Sequence, residues 1–193
     1  QADKGIYDAM NKGAALASGD YLNFMNAGDR FVSPQVLSEV FEKAETDAAL
    51  IYGDHEVVYP NFTKQKQGQP ASGLWKHMMF SHQALFCKRE LLLAHPFELR
   101  FRIAADFHFI YNRYREGQVF CHVPVKVVSY RAGGQSEIQV LNAYSENARI
   151  VTEHDHEIRL APRHSVIGIR QPQSPEHHRR PGGGKKITSP HPA

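Results

Sequence analysis

The sequence has 193 residues, of which 41% are hydrophobic and 22% charged, so it is long enough for one domain with a hydrophobic core and is neither fibrous nor wholly disordered. Its formal net charge of +3 is unevenly spread, because residues 159–193 carry seven basic side chains against one acid and residues 1–158 therefore carry a net charge of −3. The excess of basic residues belongs to the end of the chain only, so no nucleic-acid partner is predicted for the folded part.

The cysteines and the hydropathy pattern favour a reducing compartment. Cys87 and Cys121 stand in the apolar contexts LFCK and VFCHV, which favours reduced packing residues over a disulfide. No stretch approaches the roughly 20 apolar residues of a membrane span, and no signal peptide is visible. We therefore expect a cytoplasmic protein.

The N-terminal part of the chain predicts two helices around a strand. Asp3 stands where it can cap a first helix that ends at Gly19. The run YLNFM, residues 21–25, predicts a buried strand. A second helix is expected to start at Ser33-Pro34 and to run to about Ala44, with its apolar residues in one stripe.

The middle of the chain predicts further strands. AALIYGD and HEVVY read as two strands separated by a tight turn, and residues 60–73 lack a helical period and predict a loop or a short exposed hairpin. HQALFCK predicts a strand that begins at His82, and a short helix is expected over Arg89–Ala94.

The last patterned part predicts two helices and two strands. Asp106–Glu116 is helical in pattern, QVFCHVP and VKVVSYR read as separate strands, and Gly133-Gly134 breaks the pattern before a final helix from about Glu137 to His154. The alternation of helices and strands predicts an α/β domain with a mixed sheet. From Arg159 onward Pro, Gly, His and Arg dominate, so residues 159–193 are expected to form a disordered basic tail.

Four blocks of the sequence stand out together: DKGIYDAMNKGAALASGDYLNFMNAGD, SHQALFCKRELL, FRIAADFHFIYNRY and VPVKVVSYRAGGQS. Their order and spacing resemble those of family 2 glycosyltransferases, which have the GT-A fold and make bacterial surface polysaccharides. The similarity covers about residues 1 to 155. It implies that residues 1–158 are the C-terminal part of a GT-A domain, whose N-terminal strand–helix–strand portion, which binds the nucleotide base, would precede Gln1.

The stretch from Asn26 to Asp29 has two interpretations. From the residues alone it is a turn at a strand end, where Asn, Gly and Asp are favoured for backbone reasons. In the resembled family an acidic triplet at this place holds a divalent metal that bridges the donor phosphates, and oxygen ligands suit Mg²⁺ or Mn²⁺. The resemblance therefore implies a metal ligand at Asp29 and a donor contact at Asn26, although Gly28 offers no side chain.

Asp106 also has two interpretations. As an acid in the first turn of a helix it stabilises that helix by about 0.5–2 kcal/mol. The resemblance places it at the position of the family's general base, which takes the proton of the acceptor hydroxyl and gives inversion at the sugar carbon. A carboxylate facing a partly desolvated cleft can have its pKa raised toward that task.

The resemblance implies further donor contacts, each with a plain structural alternative. Asp8 and Lys12 have the spacing of an exposed i,i+4 ion pair, His82 suits a cleft histidine, and Arg131 suits a solvated strand end. As donor-binding residues the resemblance implies Asp3, Tyr7, Asp8, Asn11, Lys12, Asn26, His82, Gln83 and Arg131.

The resemblance thus implies an inverting glycosyltransferase. It would move a sugar from a nucleotide-diphosphate donor to a glycan or lipid-linked acceptor. With a lipid-linked acceptor, the protein could associate peripherally with the inner face of a membrane. One alternative of another class stays open: a truncated, catalytically inactive fragment or binding remnant of such an enzyme.

Overall fold

The computed structural model describes residues 2–133 and 139–160, with residues 154–160 described by their backbone alone. Five helices lie within these ranges: α1 (Ile6–Leu16), α2 (Val36–Lys43), α3 (Arg89–Ala94), α4 (Ala105–Arg115) and α5 (Val140–Leu160). Within the described ranges, no helix combines the length and apolar character that crossing a bilayer requires. Of the disordered tail predicted for residues 159–193, residues 159 and 160 belong to α5, and residues 161–193 lie outside the described residues.

Six strands form one mixed sheet. They are β1 (Tyr21–Leu22), β2 (Arg30–Phe31), β3 (Leu50–Val58), β4 (Thr63–Lys66), β5 (Leu85–Lys88) and β6 (Phe120–Arg131). The strand order is β1-β5-β3-β6-β2, with β3 and β6 parallel at the centre. The opposite edge of β3 pairs antiparallel with β5 near its start and with β4 near its end.

Apolar side chains cover both faces of the sheet, because successive strand residues point to opposite sides. Leu50 and Tyr52 belong to one core cluster with residues of α1, α3, α4 and α5. Ile51, between them, belongs to a second cluster that α2 covers with Val36 and Val40. The predicted α/β fold with a mixed sheet flanked by helices is confirmed.

The tight turn predicted between AALIYGD and HEVVY is wrong, because β3 runs without interruption through Gly53. A Cβ atom at Gly53 would lie 2.5 Å from the carbonyl oxygen of Val125 and 2.6 Å from a methyl group of Val127. The glycine therefore permits close approach of β6, which is a common reason for glycine inside a strand.

The two strands predicted around Pro124 are one strand, β6. Its register against β3 shifts on either side of Asp54, so that Tyr52 pairs with His122 while Asp54 pairs with Lys126. Pro124 falls in the part of β6 with the extra residues. A proline has no N–H to donate, and this irregularity accommodates it within a paired strand.

Three local predictions near the site were also inaccurate. The strand predicted over YLNFM ends at Leu22. The side chain of the next residue, Asn23, donates to the backbone carbonyls of Gln83 and Leu85. His82 lies in a short 3₁₀ turn, His82–Ala84, and the strand starts at Leu85. Helix α1 has Gly5 at its N-cap without a side-chain hydrogen bond, so Asp3 does not cap it.

Candidate active site

Asp106 lies in the first turn of α4, with its side chain only 14% exposed. The helix is held in place by buried neighbours such as Phe107 and Ile110, and this fixes the direction of the carboxylate. The Tyr7 hydroxyl donates to Oδ1 at 2.9 Å, and Nδ1 of His82 lies 3.1 Å from Oδ2. Helix α1 and the turn before β5 thus both supply a partner to this one acid.

The pKa of the Asp106 carboxyl is shifted in the direction opposite to the expected one. Burial alone would raise the pKa of the Asp106 carboxyl, but the hydrogen bond and charge of His82, with the Tyr7 hydroxyl, outweigh burial and hold that pKa below its usual range. For His82 burial acts downward on the pKa, and the bond to Asp106 with the charges of Asp106 and Asp29 raises it. At neutral pH the carboxylate is therefore ionised, and the idea of a raised Asp106 pKa is wrong.

Tyr7 is a neutral hydrogen-bond donor in this site. Burial, followed by the nearby charge of Asp106, raises the pKa of the Tyr7 hydroxyl. The same hydroxyl lies 2.6 Å from the carbonyl oxygen of Ile103. Tyr7 therefore connects α1 both to the carboxylate and to the loop that precedes it.

Asn26 to Asp29 form a β-turn next to His82. The Asp29 amide donates to the Asn26 carbonyl at 3.0 Å, and Gly28 has a φ of +95°, which suits the third position of a type II turn. Oδ2 of Asp29 accepts from the Asn26 amide at 3.0 Å, and Nδ2 of Asn26 lies 3.3 Å from Nε2 of His82. The missing side chain at Gly28 is thus a requirement of the turn, and His82 lies between the turn and Asp106.

Glu146 on α5 fixes the loop before Asp106, a role that no local sequence pattern indicates. Its carboxylate accepts hydrogen bonds from the backbone amides of Arg102, Ile103 and Ala104 at 3.0, 3.0 and 2.9 Å. The acid is one of several on a solvent-facing helix pattern, and only the tertiary structure brings it to this loop.

Two cavities meet at Asp106. One has a volume of about 420 Å³ and mainly apolar walls, with Tyr7, Asn26, His82, Gln83 and Asp106 among its lining residues. The other has a volume of about 900 Å³ and more polar walls. The second is lined by the turn over Asn26–Asp29, by His82, Gln83 and Asp106, by the β3–β4 hairpin and by Arg131.

Other residues of the predicted donor set lie away from both cavities. Lys12 forms ion pairs with Asp3 at 2.9 Å and with Asp8 at 2.7 Å. Both polar atoms of the Asn11 side chain bond to the backbone of Phe97, at 2.9 Å each. The structure therefore gathers Tyr7, Asn26, Asp29, His82, Gln83, Asp106 and Arg131, whereas Asp3, Asp8, Asn11 and Lys12 make contacts of their own.

The turn can supply only part of the ligand set that a divalent ion needs. Among the residues that the structure describes, no three His, Cys, Asp or Glu side chains come together as a metal-binding group. Asp29 uses Oδ2 for the bond within the turn, which leaves Oδ1 for a ligand. Mg²⁺ is usually held by one or two carboxylates together with substrate phosphates, so this donor set fits an ion held mainly by a phosphate-bearing ligand.

Comparisons with known proteins point to one family. The family model described as "Glycosyl transferase family 2" matches residues 1–115. A PGL/p-HBAD biosynthesis glycosyltransferase of Mycobacterium bovis is 36% identical over 110 residues, covering 55% of this chain and 43% of that protein, and its counterpart in Mycobacterium tuberculosis gives the same values. A second glycosyltransferase of Mycobacterium tuberculosis is 50% identical over 42 residues, covering 22% of this chain and 16% of that protein. The chain thus spans less than half the length of these relatives.

Proposed function

The chain belongs to glycosyl transferase family 2, and on that premise we propose that it carries the acceptor-activating part of an inverting glycosyltransferase. The enzyme moves a sugar from a nucleotide-diphosphate donor to a hydroxyl of a glycan or lipid-linked acceptor in surface polysaccharide synthesis. The observation that carries the proposal is the placement of Asp106, ionised and held by two partners, where the two cavities meet.

Asp106 is the general base in this proposal. Its carboxylate accepts from Tyr7 on one oxygen and faces His82 with the other, and a carboxylate has about four acceptor positions. A position is therefore left to accept the hydroxyl proton of the acceptor. The proton moves to Asp106 as the hydroxyl oxygen attacks the sugar carbon and the bond to the diphosphate breaks.

His82 and Tyr7 are positioning residues for this carboxylate. The bond from Nδ1 of His82 supports the ionised form, which a base must have before it accepts a proton. The buried Tyr7 hydroxyl holds the other oxygen without adding charge. Both contacts restrict the rotation of the Asp106 side chain, so the acceptor hydroxyl meets a base of fixed direction.

The donor diphosphate is proposed to bind at the turn from Asn26 to Asp29, with Gln83 beside the sugar and Arg131 near the phosphates. Asp29 and Asn26 would hold Mg²⁺ or Mn²⁺ together with those phosphates, and such an ion neutralises the charge of the leaving group. The first-block residues Asp3, Asp8, Asn11 and Lys12 remain proposed donor contacts, although they lie outside both cavities. A lipid-linked acceptor would place the reaction on the cytoplasmic side, at the inner face of the membrane.

The substitution Asp106→Asn tests the base. In the whole protein we expect transfer to fall by about 10²- to 10⁴-fold, because the amide cannot take the proton, while donor affinity stays unchanged. Asp47→Asn, which alters an exposed acid outside both cavities, is the matched control. Near-normal transfer by the Asp106 variant would refute the assignment.

The alternative, an inactive fragment or binding remnant, makes a different prediction for the 193-residue chain. Calorimetric titration with a UDP-sugar, with and without Mn²⁺, separates the two. Saturable binding that strengthens with the metal supports the proposed donor site, whereas no binding by a folded chain supports the alternative for this stretch of sequence.

A further inference from the structure

The 900 Å³ cavity has an acidic end and a cationic end. Its lining residues include Asp29 and Asp106, at the turn and on α4, and Lys64 and Lys66 on β4. The proposed function uses only the acidic end and Arg131. The two lysines are therefore charged groups of this cavity that the donor and the base leave without a role.

The sheet register places both lysines on one face of β4. Lys66 pairs with His55 and Lys64 with Val57, and cross-strand partners point to the same side. His55 and Val57 are buried, at 6% and 0% exposure, whereas the lysines themselves are exposed. Residues two apart in a strand are separated by about 7 Å, so the two ammonium groups can contact one anionic group between them.

His55 lies beside Lys66 on the same wall of the cavity. Burial, and then the positive charge of Lys66, lowers the pKa of the His55 imidazole to about 4. His55 lines the same cavity and is neutral at pH 7, so it adds no charge there. In this structure the Lys66 ammonium is close enough to the buried histidine for its charge to act on the imidazole.

The acids of β3 do not neutralise these lysines. The Asp54 carboxylate lies 3.0 Å from Nε2 of His122, and the Glu56 carboxylate forms an ion pair with Lys126 at 2.8 Å. Both acidic side chains lie on the face of β3 opposite to His55 and Val57. In the part of the chain that the structure describes, neither Lys64 nor Lys66 forms an ion pair. Two cations without an acidic partner beside a cavity attract an anionic group.

We propose that Lys64 and Lys66 bind an anionic group of the acceptor, so that the acceptor is an acidic saccharide bearing a carboxylate or a phosphate. The inference rests on the proposed function, since it needs a donor and a base at the other end of the cavity. The position of β4 favours the acceptor over the donor diphosphate: among the strands of the described residues β4 pairs with β3 alone, and all four of its residues are exposed. An acceptor that extends from the cavity into solvent would pass along β4.

The test is an NMR titration of the ¹⁵N-labelled 193-residue chain in the presence of excess UDP and MgCl₂. The probes are methyl β-glucuronide, glucose 6-phosphate and the neutral methyl β-glucoside. We expect the two anionic sugars to shift the amide signals of Thr63–Lys66 saturably and to bind at least tenfold more tightly than the neutral sugar. The tighter of the two identifies the anion as carboxylate or phosphate.

Variants separate this inference from the proposed function. Lys64→Gln with Lys66→Gln should weaken both anionic sugars at least tenfold and change UDP affinity less than twofold, whereas the control pair Lys43→Gln with Lys76→Gln should change neither. A loss of UDP affinity in the first variant, or sugar-induced shifts confined to residues 26–29, would overturn the inference. Failure of UDP to bind while the anionic sugars still bind at β4 would count against the donor site and leave the anion site standing.

Discussion

Replacement of Glu146 by glutamine tests whether α5 holds the loop that precedes Asp106. The Glu146 carboxylate accepts three backbone N–H groups, two on Oε2 and one on Oε1. Glutamine keeps one acceptor oxygen, which can serve the amides of Ile103 and Ala104, but it loses the charge and places an NH₂ group against the Arg102 amide.

The structure sets the size of the effect. A hydrogen bond to a charged group contributes about 1.5–3 kcal/mol when well buried, and the contact to Arg102 is exposed and therefore contributes less. We expect Glu146→Gln to lower the free energy of unfolding by about 1–2 kcal/mol, and Glu146→Ala, which removes all three bonds, by about 2–4 kcal/mol. In the whole protein a loop displaced by even about 1 Å should also reduce kcat, by about tenfold to a hundredfold.

Urea unfolding and amide hydrogen exchange provide the assay. Glu42→Gln, an exposed acid on α2, is the matched control and should change the free energy of unfolding by less than about 0.5 kcal/mol. Exchange of the amides of residues 102–104 should accelerate in the Glu146 variants only. Unchanged unfolding with unchanged protection of those three amides would refute the role given to α5.

Three further predictions concern the charge pair, the sheet and the thiols. His82→Gln removes the ion pair with Asp106. In the folded protein the pKa of His82 is raised above its ordinary 6.5, and the pKa of Asp106 is lowered below its ordinary 3.8. The stability lost in the variant should therefore be greatest between pH 4 and 6.5. The loss should shrink as pH rises through the folded His82 pKa or falls through the folded Asp106 pKa, and a pH-independent loss in urea unfolding would contradict this. Gly53→Ala should destabilise the sheet by about 2 kcal/mol or more, whereas Gly13→Ala, in a helix with open space around it, should stabilise by about 0.5–1 kcal/mol, as thermal unfolding would show. Burial raises the pKa of the Cys87 thiol to about 12, so labelling with a disulfide reagent at pH 8 should need unfolding; rapid labelling of the native chain would contradict the buried position.

Helices were the most predictable part of the fold. The short helix over Arg89–Ala94 has the predicted bounds, and the predicted helix over 106–116 differs from α4 by one residue at each end. In α4 the apolar residues recur with the helical period, and Pro96 and Gly117, each two residues past a helix, mark the C-terminal ends of α3 and α4. The periodicity is a property of the segment itself, so it can be read without knowledge of its neighbours.

The central strands were less predictable because two residues that break strands locally are required by tertiary packing. Gly53 looks like a turn, yet only glycine admits β6 at this distance, and Pro124 looks like a strand end, yet a register shift accommodates it. Neither the close approach nor the shift can be inferred from the segment alone, since each depends on the partner strand.

The candidate site was predictable in its residue types and less so in its energetics. The turn from Asn26 to Asp29 was expected, and its glycine has the positive φ that a type II turn requires. The direction of the Asp106 pKa was not, because burial and the His82 contact act in opposite directions and the outcome depends on a distance of 3.1 Å. Glu146 lies in a helix 42 residues after Ala104, and nothing local marks it.

The partners of Asp106 also determine when the site can form during folding. Tyr7 is separated from it by 99 residues, and the three amides before it depend on an acid of α5. Such long-range contacts form late, because the entropy of closing large loops opposes them until the rest of the chain is in place. On a ribosome, the loop before the candidate base would lack its contacts to Glu146 until α5 had emerged, so we expect a nascent chain to acquire its catalytic geometry only after α5 has folded against that loop.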